Sequence, residues 1–245
     1  MSKLKTTYMG IELKNPIVIG ASNLVVNLDH LKQLEAAGAG AIVYKSLFEE
    51  QIQLENFFED EAMAEYNDRN AEMINIYPEM RDSGPAEFLH KLKMAKEALS
   101  IPLIASLNCV YQETWVEYAK EIEKTGVDGI ELNFYAAPRD FGVSGNEILE
   151  EQLKITSAVK EALKIPVAVK LSPYYTNTLR LAYMMDGAGA DALVLFNKLF
   201  QPDIDIETET MTFNFNKSGK GDYRLALRYM GLLNGKVKAT LIGNS

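Results

Sequence analysis

Cysteine is nearly absent from this chain. The lone Cys109 among 245 residues cannot close an internal disulfide, which fits a reducing compartment. Histidine is almost as scarce. His30 and His90 sit beside charged neighbours on helical stretches, and without Cys/His spacing they make no metal site. Long apolar runs are also missing. With no stretch of about 18 apolar residues, no membrane-spanning helix is expected. The start Met1-Ser2-Lys3-Leu4-Lys5 has no apolar run behind it, so no signal peptide is expected. Finally, there is no basic excess. Twenty-five Lys and Arg against 34 Asp and Glu leave a net charge of −9, the opposite of a nucleic-acid footprint. What is present is a 47% hydrophobic content, ample for a sizeable core. These features describe a cytoplasmic protein whose partner is a small molecule rather than a membrane or a nucleic acid.

Short apolar runs alternate with stretches of helical period. The runs are Asn15 to Gly20, Ala41 to Lys45, Pro102 to Leu107, Gly129 to Asn133, Pro166 to Leu171, Ala192 to Asn197 and Lys238 to Gly243. Continuous apolar strands separated by helices imply a parallel sheet covered on both faces. A faint repeat runs through them. Ile101-Pro102 recurs as Ile165-Pro166, 64 residues on, and Gly126-Val127-Asp128-Gly129 recurs as Gly189-Ala190-Asp191-Ala192, 63 residues on. A two-strand unit at this interval predicts a (β/α)8 TIM barrel of the α/β class, incomplete at its C-terminus with about seven strands, as one partial barrel domain over residues 1–245. A doubly wound open sheet is the rival, but no Gly-rich dinucleotide turn follows the first strand. Two long insertions, Leu47 to Gly84 and Lys198 to Asp222, fall on βα connections. The second alternates with period two on both sides of its middle, which predicts a β-hairpin.

In a barrel, chemistry sits at the C-terminal ends of the strands. Here those ends read Ala21-Ser22, Lys45-Ser46, Asn108, Asn133, Lys170 and Asn197. A lysine that ends a buried strand is costly unless it meets an anion. Asparagine supplies both a donor and an acceptor, which suits the edge of a flat heterocycle. Together the residues point to a ligand site. Alternatives are a barrel lyase that uses Lys170 or Lys45 as a Schiff-base amine, and a non-catalytic binding fragment.

The same residues carry a resemblance. From Thr7 onward the chain resembles the dihydroorotate dehydrogenases, FMN-dependent (β/α)8 barrels of pyrimidine synthesis. Gly10-Ile11-Glu12-Leu13-Lys14-Asn15-Pro16 is similar to the hairpin that leads into the family's first strand, and Gly20-Ala21-Ser22 to its first flavin loop. Lys45-Ser46 resembles the strand-two lysine, and Glu131-Leu132-Asn133 the stem of the strand-four motif. Val169-Lys170-Leu171-Ser172-Pro173-Tyr174 resembles the segment bearing the lysine beside the flavin. The resemblance implies FMN contacts from Ala21, Ser22, Lys45, Ser46, Asn108, Asn133, Lys170 and Asn197. It implies substrate contacts from Lys45, Asn75, Asn133, Asn197 and, gripping a carboxylate, Arg139. It further implies an oxidoreductase that moves hydride from a dihydroorotate-like substrate to FMN. A homodimer is a separate expectation that no residue here specifies.

The chain also departs from that pattern. The family base is Cys or Ser, three residues after the strand-four Asn. Here that position is Ala136, which cannot accept a proton. Glu79 stands near a substrate-loop Asn, where a carboxylate would repel orotate. The family's Gly-rich turns after strands seven and eight cradle the FMN phosphate. The sequence reaches only the first of them, at Gly243-Asn244-Ser245. The expectation is a conserved-looking flavin side, an altered substrate side and weak FMN binding by this chain as it stands.

Overall fold

The computed structural model describes residues 4–48, 85–109, 112–134, 141–198, 203–212 and 219–244. Most of the first insertion, with Asn75 and Glu79, and the segment bearing Ala136 and Arg139 lie outside the described residues.

The chain opens with an antiparallel hairpin, β1 (Thr6–Tyr8) and β2 (Ile11–Leu13), in which Tyr8 faces Ile11. Its two turn residues, Met9 (φ 54°) and Gly10 (φ 80°), both adopt the left-handed region, the geometry of a type I′ turn that matches the twist of the flanking strands. Glycine does this freely. For Met9 it costs on the order of 1 kcal/mol, and burial of the side chain offsets that cost: Met9 is 6% exposed.

Seven parallel strands follow: β3 (Val18–Ile19), β4 (Ala41–Phe48), β5 (Leu103–Asn108), β6 (Gly129–Asn133), β7 (Val167–Leu171), β8 (Ala192–Leu195) and, last, β11 (Thr240–Gly243). They form one sheet in the order β11-β8-β7-β6-β5-β4-β3. The helices α1 (Leu28–Ala36), α2 (Pro85–Ala98), α3 (Gln112–Lys124), α4 (Gly145–Ala162), α5 (Thr178–Gly187) and α6 (Tyr223–Leu233) make the crossovers. The expected hairpin after β8 is present as β9 (Asp203–Asp205) paired with β10 (Thr210–Thr212). The first strand is shorter than the sequence suggests, two residues rather than six.

The sheet curls. Its edge strands β3 and β11 do not pair, yet a Cβ built on Gly20, just past β3, would lie 3.7 Å from Asn244 Oδ1, just past β11. Side chains therefore divide between a concave and a convex face. The concave cluster is built of small or slender residues, Ala41, Val43, Ile104, Ala168, Ala192 and Val194, with Tyr8, Met9 and Leu13 of the hairpin packed among them. The convex cluster holds the larger residues that meet the helices, including Leu103, Leu107, Trp115, Ile130, Leu132 and Leu171. The hairpin floors the barrel: Met9 Cε would be 2.9 Å from a Cβ on Gly129, and the Met9 N–H donates to Thr240 Oγ1 at 3.4 Å. This is the incomplete (β/α)8 barrel expected from the strand pattern.

The internal repeat has a physical basis at the N-terminal end of the sheet. Asp128 Oδ2 accepts the Leu103 N–H at 2.8 Å and pairs with Lys96 at 2.6 Å. Its counterpart Asp191 Oδ2 accepts the Val167 N–H at 2.8 Å and pairs with Lys160. A second set of carboxylates clamps the loops between helix and strand. Glu35 Oε1 takes the Ser100 and Ile101 amides, Glu123 Oε1 those of Lys164 and Ile165, and Asp186 Oδ1 those of Lys238 and Ala239. Each satisfies backbone donors that would otherwise be left open where a helix hands over to a strand.

Candidate active site

The C-terminal end of the curled sheet gathers the polar residues. In β4, Lys45 and Ser46 together oppose the single residue Ser106 of β5, since Tyr44 is in register with Ala105 and Leu47 with Leu107. This bulge turns Ser46 toward the concave side, where its hydroxyl shares a 2.7 Å hydrogen bond with that of Ser106. Lys45 remains partly exposed, and its side chain has no hydrogen bond or ion pair among the described residues. Period-two alternation along β5 and β6 then places Ile104, Ser106 and Asn108 on the concave face, and Gly129, Glu131 and Asn133 beside them.

Asn133 and Asn197 meet. Asn197 Nδ2 donates to Asn133 Oδ1 at 2.7 Å. The two come from β6 and from just beyond β8, so their amides join across the intervening β7. Each is fixed by an outward-facing aromatic neighbour. Phe134 packs against Trp115, ring centroids 5.1 Å apart, and Phe196 packs edge-on against Tyr229 at 5.2 Å. The Asn197 N–H also donates to the Leu171 carbonyl at 2.7 Å, tying the turn to the end of β7. One amide donor and one acceptor are consumed in the pair. The Asn133 NH2 group and the Asn197 carbonyl remain to be offered to a ligand.

Lys170 is in register with Asn133 on one side and Val194 on the other, and it is 7% exposed. Its Nζ is 3.6 Å from Glu131 Oε1, an ion pair longer than a hydrogen bond. Glu131 is 3% exposed, and its Oε1 has no hydrogen-bond partner. Below lies Tyr8 of the hairpin. Burial first, and then the Glu131 carboxylate, push its hydroxyl well above the ordinary tyrosine range, so it stays neutral.

The sequence-predicted residues are therefore unequally gathered. Ser46, Asn133, Lys170 and Asn197 line the concave face or its rim, and Asn108 ends β5 opposite Phe48. Ala21 packs on the concave cluster, whereas Ser22 is exposed and its hydroxyl accepts the Leu24 N–H at 3.3 Å, starting a short 3-10 turn. Its carbonyl accepts the Val25 N–H at 3.2 Å, which leaves Ser22 its backbone N–H for a ligand. His30 and His90 are exposed on α1 and α2, and no metal-binding cluster is found among the described residues. Sequence reasoning missed Ser106, Glu131 and Tyr8. For Glu131 the signal was available: two residues before Asn133 in a strand, it had to share Asn133's face.

A family model described as dihydroorotate dehydrogenase matches residues 3–228. This chain belongs to the dihydroorotate dehydrogenase family. A relative from Thermoplasma volcanium, "Dihydroorotate dehydrogenase B (NAD(+)), catalytic subunit", is 31% identical over 84% of this chain and 65% of its own length. One of the same name from Methanothermobacter thermautotrophicus is 30% identical over 80% of this chain and 62% of its own. The chain thus spans less than two thirds of the length of these dihydroorotate dehydrogenase relatives. A solved phosphonopyruvate hydrolase, in complex with oxalate and Mg, aligns with a TM-score of 0.51 at 19% identity, covering 94% of this chain and 76% of that one, which shows a shared fold only. Among the described residues, no helix is long and apolar enough to cross a membrane.

Proposed function

We propose that this dihydroorotate dehydrogenase-family chain forms the flavin-side portion of an oxidoreductase that pairs FMN with a planar, amide-bearing substrate of the dihydroorotate type. The observation that carries the reading is the Asn133–Asn197 amide pair joined across β7, the strand that bears Lys170. The donor set suits such a ring system: an ammonium for an anionic edge and amides for a pyrimidine edge. FMN, when bound, supplies the acceptor for an electron pair that no side chain here can take. Lys170 would hold negative charge on the ring. Asn108, Asn133 and Asn197 would present amides to ring edges, with Ala21, Ser22, Lys45 and Ser46 lining the approach. Asn75, Arg139 and Lys45 would bind the substrate. Nothing in the geometry or the relatives favours a Schiff-base lyase or a mere binding fragment.

The relatives' printed names carry NAD(+) and a catalytic-subunit role, and we extend both to this chain. A cytoplasmic homodimer built on a single partial barrel over residues 1–245 completes the proposal. Ala136 sets its limit: with no proton acceptor at the family's base position, flavin binding outlasts dihydroorotate turnover.

The test is direct. The purified chain, and a version extended by any further reading frame, are titrated with FMN and followed by flavin fluorescence. Binding should weaken on Lys170→Met or Asn133→Ala. Anaerobic reduction of bound FMN by dihydroorotate should be slow, and should rise about a hundredfold or more in Ala136→Cys, the usual contribution of a positioned base. Absence of flavin binding in every form would end the proposal.

A further inference from the structure

Glu131 is not among the residues assigned above to flavin or substrate, yet its position is the most demanding in the barrel. It is a carboxylate on a strand buried on both faces, 3% exposed, with one oxygen lacking any hydrogen bond. Such a group persists only with a countercharge. Two ionisable side chains approach it from the packed elements. Tyr8 of the hairpin stays neutral, for the reasons given above. Lys170, on the neighbouring strand, is the ion-pair partner, at 3.6 Å.

We infer that Glu131 is a positioning residue: it holds the Lys170 ammonium on the concave face beside the Asn133–Asn197 pair, so that a ligand's anionic edge meets a cation already in place. The spacing supports this. At 3.6 Å the ammonium is held electrostatically without giving a hydrogen bond to Glu131 Oε1. Its N–H donors are therefore not spent on that oxygen and can turn to an incoming anionic oxygen or nitrogen. Strand geometry fixes the arrangement. Asn133 and Lys170 are register partners, and Glu131 shares Asn133's face one pleat below. The inference rests on the proposed flavin site for the identity of the ligand, but the Glu131–Lys170 linkage can be tested without one.

The experiment has two arms. In the first, apo protein is acylated with limiting acetic anhydride, and modification of each lysine is read by mass spectrometry, with Lys45 and Lys236 as internal references. Glu131→Gln should change the Lys170 rate about tenfold relative to the references, the scale of coupling between contacting charged groups. An unchanged Lys170 rate overturns the inference. In the second arm, FMN affinity is measured for wild type, Glu131→Gln, Lys170→Met and the double variant. If Glu131 acts through Lys170, Glu131→Gln weakens binding in the wild-type background and changes nothing in the Lys170→Met background. Equal losses in both backgrounds overturn it. If no form binds FMN, the proposed function fails while the first arm still decides the inference. If Glu131→Gln does not fold but the double variant does, the carboxylate's work is on Lys170, as inferred. If neither folds, Glu131 serves something else and the inference falls.

Discussion

Removing Asp191 tests the clamps beneath the sheet most sharply. A single oxygen, Oδ2, accepts the Val167 N–H at 2.8 Å and also pairs with Lys160. The two contacts differ in worth. Val167 is fully buried, so Asp191→Ala strands a backbone donor at the start of β7, costing about 1–3 kcal/mol. The ion pair is about a third exposed on both sides, 33% for Lys160 and 31% for Asp191, and such pairs contribute about 0–1 kcal/mol. Asp191→Ala should therefore cost about 1–4 kcal/mol. Asp191→Asn keeps an acceptor and should cost less than half of that, and Lys160→Ala at most about 1 kcal/mol. Urea denaturation with an unchanged m-value reads all three. Raising the salt concentration should shrink the Lys160→Ala effect and leave most of the Asp191→Ala effect in place. Because Asp128 makes the same two contacts with Leu103 and Lys96, Asp128→Ala should match Asp191→Ala to within about 1 kcal/mol. If Lys160→Ala costs as much as Asp191→Ala, charge rather than the backbone donor holds the strand, and the reasoning is wrong.

Two further outcomes follow from local geometry. A Cβ on Gly40 would lie 2.4 Å from the Asn15 carbonyl oxygen and 3.1 Å from that of Ile17, both backbone atoms. Gly40→Ala should thus lower stability by about 2 kcal/mol or more, and the melting temperature by about 5 °C. Gly231→Ala, in α6 with nothing within 4 Å, should instead raise stability by about 0.5–1 kcal/mol; equal effects of the two substitutions would refute the steric argument. Glu35 supplies a pH dependence. Its hydrogen bonds to the Ser100 hydroxyl and, more weakly, to the Ser100 and Ile101 amides hold its carboxyl below the ordinary range. A carboxyl lowered on folding adds stability above its unfolded pKa, about 4.3, and that stability is lost as the pH falls through the lower folded value. Acid titration of unfolding midpoints should show a loss in wild type below about pH 4 that is smaller in Glu35→Gln; identical acid limbs would remove Glu35 from the account.

The fold was legible because the barrel's constraints are written locally. Runs such as Ala41 to Tyr44 and Pro166 to Val169 are apolar without interruption, as a sheet covered on both faces permits. The 64-residue recurrence of Ile-Pro turned out to be one visible part of a structural repeat. Lys96 and Lys160, also 64 apart, bind the matching aspartates. The type I′ turn at Met9-Gly10 was less legible, because the usual Asn-Gly signal is absent and burial of Met9, a long-range effect, supplies the compensation.

The site was half legible, and the division has a physical cause. Asn133, Lys170 and Asn197 could be found because each ends an apolar run, and the end of a run is visible in one dimension. Glu131 and Ser106 lie inside runs. In a strand buried on both faces, alternation does not announce which face is concave, because both faces are apolar. What brings the partners together is strand neighbourhood: the β4 bulge lets the Ser46 and Ser106 hydroxyls meet at 2.7 Å, and the pairing of β6 with β7 lets Glu131 reach Lys170. A charged residue inside an otherwise apolar barrel strand is therefore better read by its parity with the polar residue at the strand's end. Same parity places both on one face, and Glu131 with Asn133, like Ser106 with Asn108, satisfies that condition. By the same rule Lys45 would share the concave face with Ala41 and Val43, yet Ser46, its neighbour of opposite parity, is the residue bonded to Ser106. The bulge resolves the conflict by setting both against one partner residue. It is what lets a single strand present an ammonium and a hydroxyl to the same mouth.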